Sequence, residues 1–193
     1  MASVVLQTKT YTAEEYLALE VESDIRHEFR NGETVEMAGG TPEHNEISAT
    51  LVFLLKTALR GQPYSIFVAD QRLWLPGANI YTYPDVMVMR KPPSLQAGRS
   101  DTVVDPILIV EILSKSTQGY DRGDKFEAYR TSEMFQEYVL IDQYRPYVDH
   151  YVKQSEDEWL LRSYSGLDAS FTLSSVSVDV ALAELYEAIA FNS

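Results

Sequence analysis

Two acidic residues stand in stretches of sequence that otherwise have the composition of core strands. Glu111 interrupts an apolar run within residues 106–114, and Asp85 directly precedes the apolar residues 86–89. A short apolar run bounded by proline and polar residues is typical of a strand that is buried on both faces. Because an isolated buried carboxylate is very costly, each must be paired, protonated or bound to a cation.

Carboxylates on two neighbouring strands suit a hard divalent cation. Mg²⁺ or Mn²⁺ takes oxygen ligands, commonly one or two carboxylates together with phosphate and water. Such an ion would remove the cost of burying Asp85 and Glu111, activate a water molecule and stabilise the charge that develops on a phosphate. A lysine beside them would act as a point charge on the phosphate and orient the attacking water.

The first part of the chain predicts a helix and a hairpin. Thr12 and Glu15 have the spacing of a capping box at a short first helix. Residues 25–37 form a predicted hairpin because Asn31-Gly32 is a strong two-residue turn signal. Glu28 lies on the first arm and alternates away from the apolar positions, which favours a solvent-facing side chain as much as a functional one.

A second helix is predicted from the Thr41 cap and Pro42 to Gly61. His44 precedes Ile47 by three residues, so it lies on the apolar stripe and points inward from the first turn. A buried core histidine and a site residue both remain open at this position.

The remaining pattern alternates strands and helices. It predicts one long or bent strand at 64–75, strands at 83–90 and 106–114, a loop at 91–105, a helix from about Asp121 to Thr131, strands at 136–142, 146–153 and 158–164, and a final helix capped by Ser177 or Asp179. This order predicts a mixed α+β (or α/β) fold in which helices pack on a central mixed sheet. We expect a single domain over residues 1–193, with a core at about 10–153 and further strands and a helix at 157–190.

Composition limits the function. The formal net charge of −13 argues against tight nonspecific DNA binding, which usually requires a basic patch. The absence of cysteine excludes disulfides and thiolate metal sites. The N-terminal residues lack the pattern of a secretory signal and no apolar run is long enough to span a membrane, so we expect a cytoplasmic location and no membrane partner.

An ordered set of motifs resembles a known family. The set comprises Thr12–Tyr16, the hairpin Glu28–Glu33, His44, Pro84-Asp85-Val86, Val110–Ser114 with Ser116-Thr117, then Asp121, Lys125 and Tyr129, and the strand Glu137–Asp142. Together they resemble the PD-(D/E)XK, restriction-endonuclease-like superfamily and, more narrowly, the Uma-two family of endonucleases. The resemblance runs over about residues 10–153.

The resemblance implies a restriction-endonuclease-like fold, a DNA substrate and Mg²⁺ or Mn²⁺ bound by Asp85 and Glu111. The superfamily places its lysine two residues after the strand glutamate, where this chain has Leu113. Lys125 on the following helix is the expected replacement, with Lys115 as its rival. The resemblance also implies roles near the metal for Glu28 and His44, as ligands or as supporting residues, and makes a homodimer plausible.

Structural interpretations compete with each of these assignments. Asp85 could cap a turn, Glu111 could form a buried ion pair with Arg26 or Arg72, and Lys125 could lie on a solvated helix face. The leading hypothesis is a metal-dependent DNA endonuclease. The alternatives are a nuclease-like binding or regulatory module without turnover, favoured by the net charge and by Leu113, and a hydrolase of a smaller phosphoester.

Overall fold

The computed structural model describes residues 9–37 and 39–191. Residues 1–8, which bear on the expected absence of a secretory signal, lie outside this part of the chain. The helices of the described residues are α1 (Ala13–Glu22), α2 (Pro42–Ala58), α3 (Gln118–Arg122), α4 (Asp124–Tyr129) and α5 (Leu182–Leu185). The strands are β1 (His27–Arg30), β2 (Glu33–Glu36), β3 (Tyr64–Val68), β4 (Arg72–Leu75), β5 (Ile80–Thr82), β6 (Val86–Arg90), β7 (Thr102–Val103), β8 (Leu108–Leu113), β9 (Glu137–Asp142), β10 (Tyr147–Lys153), β11 (Trp159–Ser165), β12 (Ser170–Leu173) and β13 (Val178–Ala181).

Two mixed sheets organise these elements. One sheet has the order β2-β1-β5-β4-β7 and the other the order β11-β10-β9-β8-β6-β3, while β12 and β13 form a separate hairpin. The pairs β8–β9 and β4–β7 are parallel, and the remaining pairs are antiparallel. The predicted class, a mixed α+β fold with helices flanking mixed sheet, is therefore confirmed. Among the described residues, no helix is long and apolar enough to cross a bilayer.

The central strand β8 faces two different cores. Side chains alternate along a strand, so Val110 and Ile112 point to one face while Ile109 and Leu113 point to the other. Val110 and Ile112 pack in a cluster with the α2 stripe residues Ile47, Leu51 and Leu55. Ile109 and Leu113 pack in a second cluster with Ala128 and Tyr129 of α4. By the same alternation, Glu111 belongs to the face that α4 covers.

The N-terminal predictions agree with the structure. Thr12 and Glu15 form both hydrogen bonds of the capping box at α1. Asn31 and Gly32 both adopt positive φ, as a tight hairpin turn between β1 and β2 requires. At α2, the Thr41 side chain accepts a hydrogen bond from the backbone N–H of His44 at 3.2 Å.

Residues 64–75 do not form the one strand that alternation predicted. The chain turns after Val68, where the N–H of Gln71 donates to the carbonyl of Val68 at 2.8 Å. As a result β3 lies in the six-stranded sheet and β4 in the five-stranded sheet. The predicted loop at 91–105 likewise contains β7, which extends the sheet beside β4.

Two predicted helices are also wrong in extent. Gly123 divides the helix predicted over residues 121–131 into α3 and α4. The final helix begins later than predicted, because Ser177 at a φ of 56° ends a turn that leads into β13. Val178 and Val180 are buried at strand spacing, and α5 contributes the buried Leu182 and Leu185.

The strand β11 forms one border of the six-stranded sheet. Its exposed side chains include Leu160 and Leu161. A homodimer through such an edge stays a prediction.

A buried carboxylate ties the C-terminal hairpin to the sheet. Glu137 is fully buried and accepts hydrogen bonds from the backbone N–H groups of Ser174 and Ser175 at 2.7 and 2.9 Å. It also contacts His150 Nε2 at 2.6 Å and the Ser175 hydroxyl. Glu137 therefore satisfies several buried donors at once.

Glu137→Gln replaces one acceptor oxygen with an NH₂ group that faces those donors. We expect the free energy of unfolding to fall by roughly 3 kcal/mol, since hydrogen bonds to a buried charge are lost and donors are left unpaired. Urea unfolding measures the change, and Glu187→Gln on the exposed surface is the matched control. Equal effects of the two substitutions would contradict this role.

Candidate active site

Asp85 lies directly before β6, beside the C-terminal half of β8. Its Oδ2 accepts a hydrogen bond from the backbone N–H of Ile112 at 2.7 Å. The same oxygen lies 3.1 Å from Nε2 of His44 in the first turn of α2. Only Oδ2 is engaged by these contacts, and the side chain is 17% exposed. Asp85 is thus held firmly while part of its carboxylate faces outward.

Glu111 is buried directly beside Asp85. The backbone N–H of Asp85 points to Glu111 Oε2 at 3.4 Å. On its other oxygen, Oε1, Glu111 accepts a hydrogen bond from the Tyr129 hydroxyl at 2.5 Å and contacts Lys125 Nζ at 2.9 Å. The partner of Glu111 is therefore Lys125, and the suggested pairing with Arg26 or Arg72 is wrong. Arg72 pairs instead with Asp101 at 3.2 Å.

Lys125 is buried on the inner face of α4, not on a solvated helix face. Its Nζ lies 3.5 Å from Glu28 Oε1 and 3.7 Å from Asp121 Oδ1, in addition to the Glu111 contact. Lys125 and Tyr129, four residues apart, lie on one side of α4. Asp121, four residues before Lys125, lies in α3 on the other side of the break at Gly123. Lys115, the rival, is exposed and lies over the ring of Tyr144.

Glu28 is buried, and the solvent-facing interpretation is wrong. The Thr82 hydroxyl donates to its Oε1, while Arg30 donates to Oε2 from Nε at 3.0 Å and from Nη2 at 2.5 Å. The Arg30 guanidinium also stacks 3.6 Å from the ring centroid of Tyr120 in α3. The side chains of β1 alternate as expected, but the face that the sequence pattern assigned to solvent is covered by α3 and α4.

Burial and charge shift the ionisation of these groups. Burial raises the pKa of Glu111 to about 8, against the opposing effect of Lys125. Burial disfavours the charged form of Lys125, but Glu111 and the other surrounding carboxylates outweigh it and hold its pKa well above the usual value. Burial also raises the pKa of Asp121.

The pKa shifts of His44 and Glu28 both favour the charged form of the side chain. The hydrogen bond with Asp85 raises the pKa of His44, although burial opposes it. For Glu28, burial is outweighed by Lys125, Thr82 and Arg30, so its pKa is lowered. The site therefore combines ionised groups of both signs in a partly enclosed space.

The donor set fits a small hard cation. Asp85 and Glu111 supply carboxylate oxygens side by side, near the C-terminal end of β8. The three carboxylates of Glu28, Glu111 and Asp121 surround the ammonium group of Lys125. In residues 9–37 and 39–191, no three His, Asp or Glu side chains are grouped closely enough to hold a metal by themselves. Two carboxylates together with phosphate and water are a common environment for Mg²⁺, so the pair needs no third protein ligand.

The five residues singled out from the sequence all meet in this region. Glu28, Glu111 and Lys125 form one connected cluster, and Asp85 with His44 adjoins it. Asp121, Tyr129 and Arg30 belong to the same cluster but were not assigned to the site. The four-residue spacing of Asp121, Lys125 and Tyr129 was the available signal, whereas nothing in the sequence indicated the stacking of Arg30 on Tyr120.

The fold of this chain is similar to that of a solved protein structure. The crystal structure of a putative nuclease belonging to DUF820 from Anabaena variabilis ATCC 29413 matches with a TM-score of 0.74 over 92% of this chain and 98% of that chain, at 18% sequence identity. This likeness concerns the fold alone.

Residues 13–183 match the model of the Uma2 family, described as "Putative restriction endonuclease", and the chain belongs to this family. The uncharacterized protein sll1609 of Synechocystis sp. (strain ATCC 27184 / PCC 6803 / Kazusa) is 39% identical over 91% of this chain and 99% of its own length. The uncharacterized protein slr1290 of the same strain is 34% identical over 92% of each chain. The predicted family membership is confirmed.

The buried pair of Lys125 and Glu111 predicts strong energetic coupling. At pH 9, above the pKa of about 8 at which Glu111 ionises beside Lys125, Lys125→Met should lower the free energy of unfolding by about 3–5 kcal/mol, because it leaves Glu111 buried without its cation. Adding Glu111→Gln should recover at least about 1 kcal/mol of that loss in a double-mutant cycle measured by urea unfolding.

The exposed pair of Arg145 and Asp142 is the control cycle, since its arginine side chain is 62% exposed. Its coupling should stay below about 1 kcal/mol. Additive effects of Lys125→Met and Glu111→Gln, within about 0.5 kcal/mol, would show that the two side chains are not energetically linked.

Proposed function

We propose that this protein is a metal-dependent endonuclease that hydrolyses phosphodiester bonds of DNA with Mg²⁺ or Mn²⁺. The observation that carries the proposal is that Asp85, Glu111 and Lys125 converge at one place. They come from the residue before β6, from β8 and from α4. Membership of a family described as a restriction endonuclease supports the same class of reaction.

Asp85 and Glu111 are the proposed metal ligands. A bound divalent cation would supply Lewis-acid stabilisation of the phosphate and lower the pKa of a water molecule. His44 fixes the orientation of Asp85 through the contact between Nε2 and Oδ2, and Tyr129 does the same for Glu111 Oε1. Such outer contacts keep the ligand oxygens directed at one point.

Lys125 is the proposed counterpart of the lysine that the superfamily carries on the strand. Leu113 occupies that strand position and is buried in the apolar cluster beneath α4. Lys125 reaches the glutamate from the helix instead, and its ammonium group can donate hydrogen bonds to a phosphate oxygen or orient the attacking water. Glu28, itself held by Arg30, keeps the ammonium group near Glu111.

A binding or regulatory module without turnover is the second candidate. The observation that favours it is that Lys125 already forms close contacts with Glu111 and Glu28, so its charge is balanced within the protein. The two candidates differ in whether Lys125 affects a catalytic rate.

The metal assignment predicts that Asp85→Asn weakens Mn²⁺ binding and lowers DNA cleavage at least about hundredfold, because one ligand and its charge are lost. Isothermal titration calorimetry measures binding, and nicking of plasmid DNA measures cleavage. Glu111→Gln should behave in the same way. Asp70→Asn, on an 82% exposed side chain, is the control. Unchanged Mn²⁺ binding in Asp85→Asn would overturn the assignment.

The assignment of Lys125 predicts a loss of rate with metal binding retained. Lys125→Ala should lower kcat for cleavage roughly a hundredfold to a thousandfold, as expected for a group that stabilises charge in the transition state. Single-turnover cleavage measures the rate and circular dichroism verifies folding. Lys56→Ala, at an exposed position of α2, is the control. An unchanged rate in Lys125→Ala would instead support the binding module.

A further inference from the structure

Two cation–aromatic pairs lie near the candidate site, beyond the C-terminal ends of β8 and β9. Because β8 and β9 are parallel, their C-terminal ends meet at the same edge. Lys115 follows β8, and its Nζ lies 5.3 Å from the ring centroid of Tyr144 beyond β9. The guanidinium of Arg145 lies 4.2 Å from the ring centroid of Tyr147. We call these four residues the edge platform.

The platform is open and keeps positive charge. Tyr144 is 50% exposed, and the side chain of Arg145 is 62% exposed. Asp142 pairs with Arg145 at 3.0 Å, whereas Lys115 takes part in no ion pair within the described residues. Several other cations are balanced by carboxylates, including Arg26, Arg72, Arg99 and Arg122. In a chain with a net charge of −13, the platform is therefore a favourable surface for an anion.

A buried glutamine fixes the platform to the candidate site. Gln143 Nε2 donates to the carbonyl of Leu113 at 2.8 Å, and the Thr41 hydroxyl donates to Gln143 Oε1 at 2.6 Å. Gln143 thus joins the turn after β9 to the end of β8 and to the cap of the helix that bears His44. Lys115 follows Glu111 by four residues, which keeps their Cα atoms within about 14 Å of each other. A nucleic-acid strand that lies on the platform is therefore next to the candidate site.

We propose that the edge platform binds a single-stranded or locally unpaired segment of nucleic acid next to the candidate site. The ring of Tyr144 is 50% exposed beside Lys115, and a base would stack on its exposed surface. Lys115 and Arg145 then contact the adjoining phosphates. Bases in a duplex are stacked on one another, so only an unpaired base can use the ring, and stacking of this kind tolerates any base. The inference rests on the proposed function, because it names the class of substrate.

Binding to fluorescent oligonucleotides of about 15 nucleotides, within the usual range of site sizes, tests the proposal by anisotropy. The protein carries Asp85→Asn and the buffer contains a chelator, so no cleavage interferes. The arms are single-stranded DNA, the same DNA as a duplex, and single-stranded RNA, which separates the two sources of an unpaired strand. We expect the single strand of DNA to bind more tightly than the duplex.

Substitutions in that background identify the platform. Tyr144→Ala should weaken single-strand binding at least about fivefold, the lower limit for one base–aromatic stack. Lys115→Gln should reduce the slope of log K against log salt by about one. The controls are Phe53→Ala, which removes a 67% exposed aromatic residue of α2, and Lys56→Gln on the same helix.

The platform and the proposed function can fail separately. Equal affinities of Tyr144→Ala and Phe53→Ala, or a duplex bound as tightly as the single strand, would overturn the platform even if the protein cleaves DNA. Single-strand binding that depends on Tyr144 would support the platform even if no cleavage is found.

Discussion

The buried ammonium group of Lys125 neutralises carboxylates that would otherwise repel one another. Glu111 comes from β8 in the six-stranded sheet, Glu28 from β1 in the five-stranded sheet and Asp121 from α3, all within 3.7 Å of Nζ. Like charges this close are strongly unfavourable without a shared cation. The interaction that assembles the candidate site therefore also joins the two sheets and the helix that covers them.

The two candidate ligands have different environments. Glu111 is buried against a lysine and a tyrosine, whereas Asp85 contacts an imidazole and a backbone N–H and is partly exposed. A cation that approaches from solvent meets Asp85 first, and Glu111 lies deeper. The four residues that hold these two carboxylates come from α2, α4 and β8, so the local geometry depends on packing across the sheet.

Much of the fold, and the residues that meet at the candidate site, could be predicted from the sequence. The sequence alone shows Glu111 within an apolar run and Asp85 directly before another. Because a buried carboxylate is costly without a partner, these positions indicate a functional or paired group. The helix caps at Thr12 and Thr41 and the Asn31-Gly32 turn are local signals, and they agree with the structure. The approach of Lys125 to Glu111 depends on how α4 packs, which spacing alone does not determine, and it came from the family resemblance.

The errors share a physical cause. Alternation reports which face of a strand is apolar, but not which sheet the strand joins, so the turn after Val68 was missed. The pattern around Glu28 does not distinguish a solvent-facing side chain from a buried one, because α3 and α4 cover it from a distant part of the chain. In the C-terminal region, Val178 and Val180 have strand spacing immediately before the helical spacing of Leu182 and Leu185, and the two patterns merged into one predicted helix.

The break at Gly123 divides the segment after β8 into a surface part and a part that is anchored in the core. Residues 114–117 lead into α3 at the surface, while α4 is anchored by the buried Ala128 and Tyr129. The position of Lys125 is therefore set mainly by the packing of α4, with Asp121 of α3 as its contact on the side of the turn. Changes of length or sequence in that turn can reshape the rim of the site while the charge at its centre stays in place.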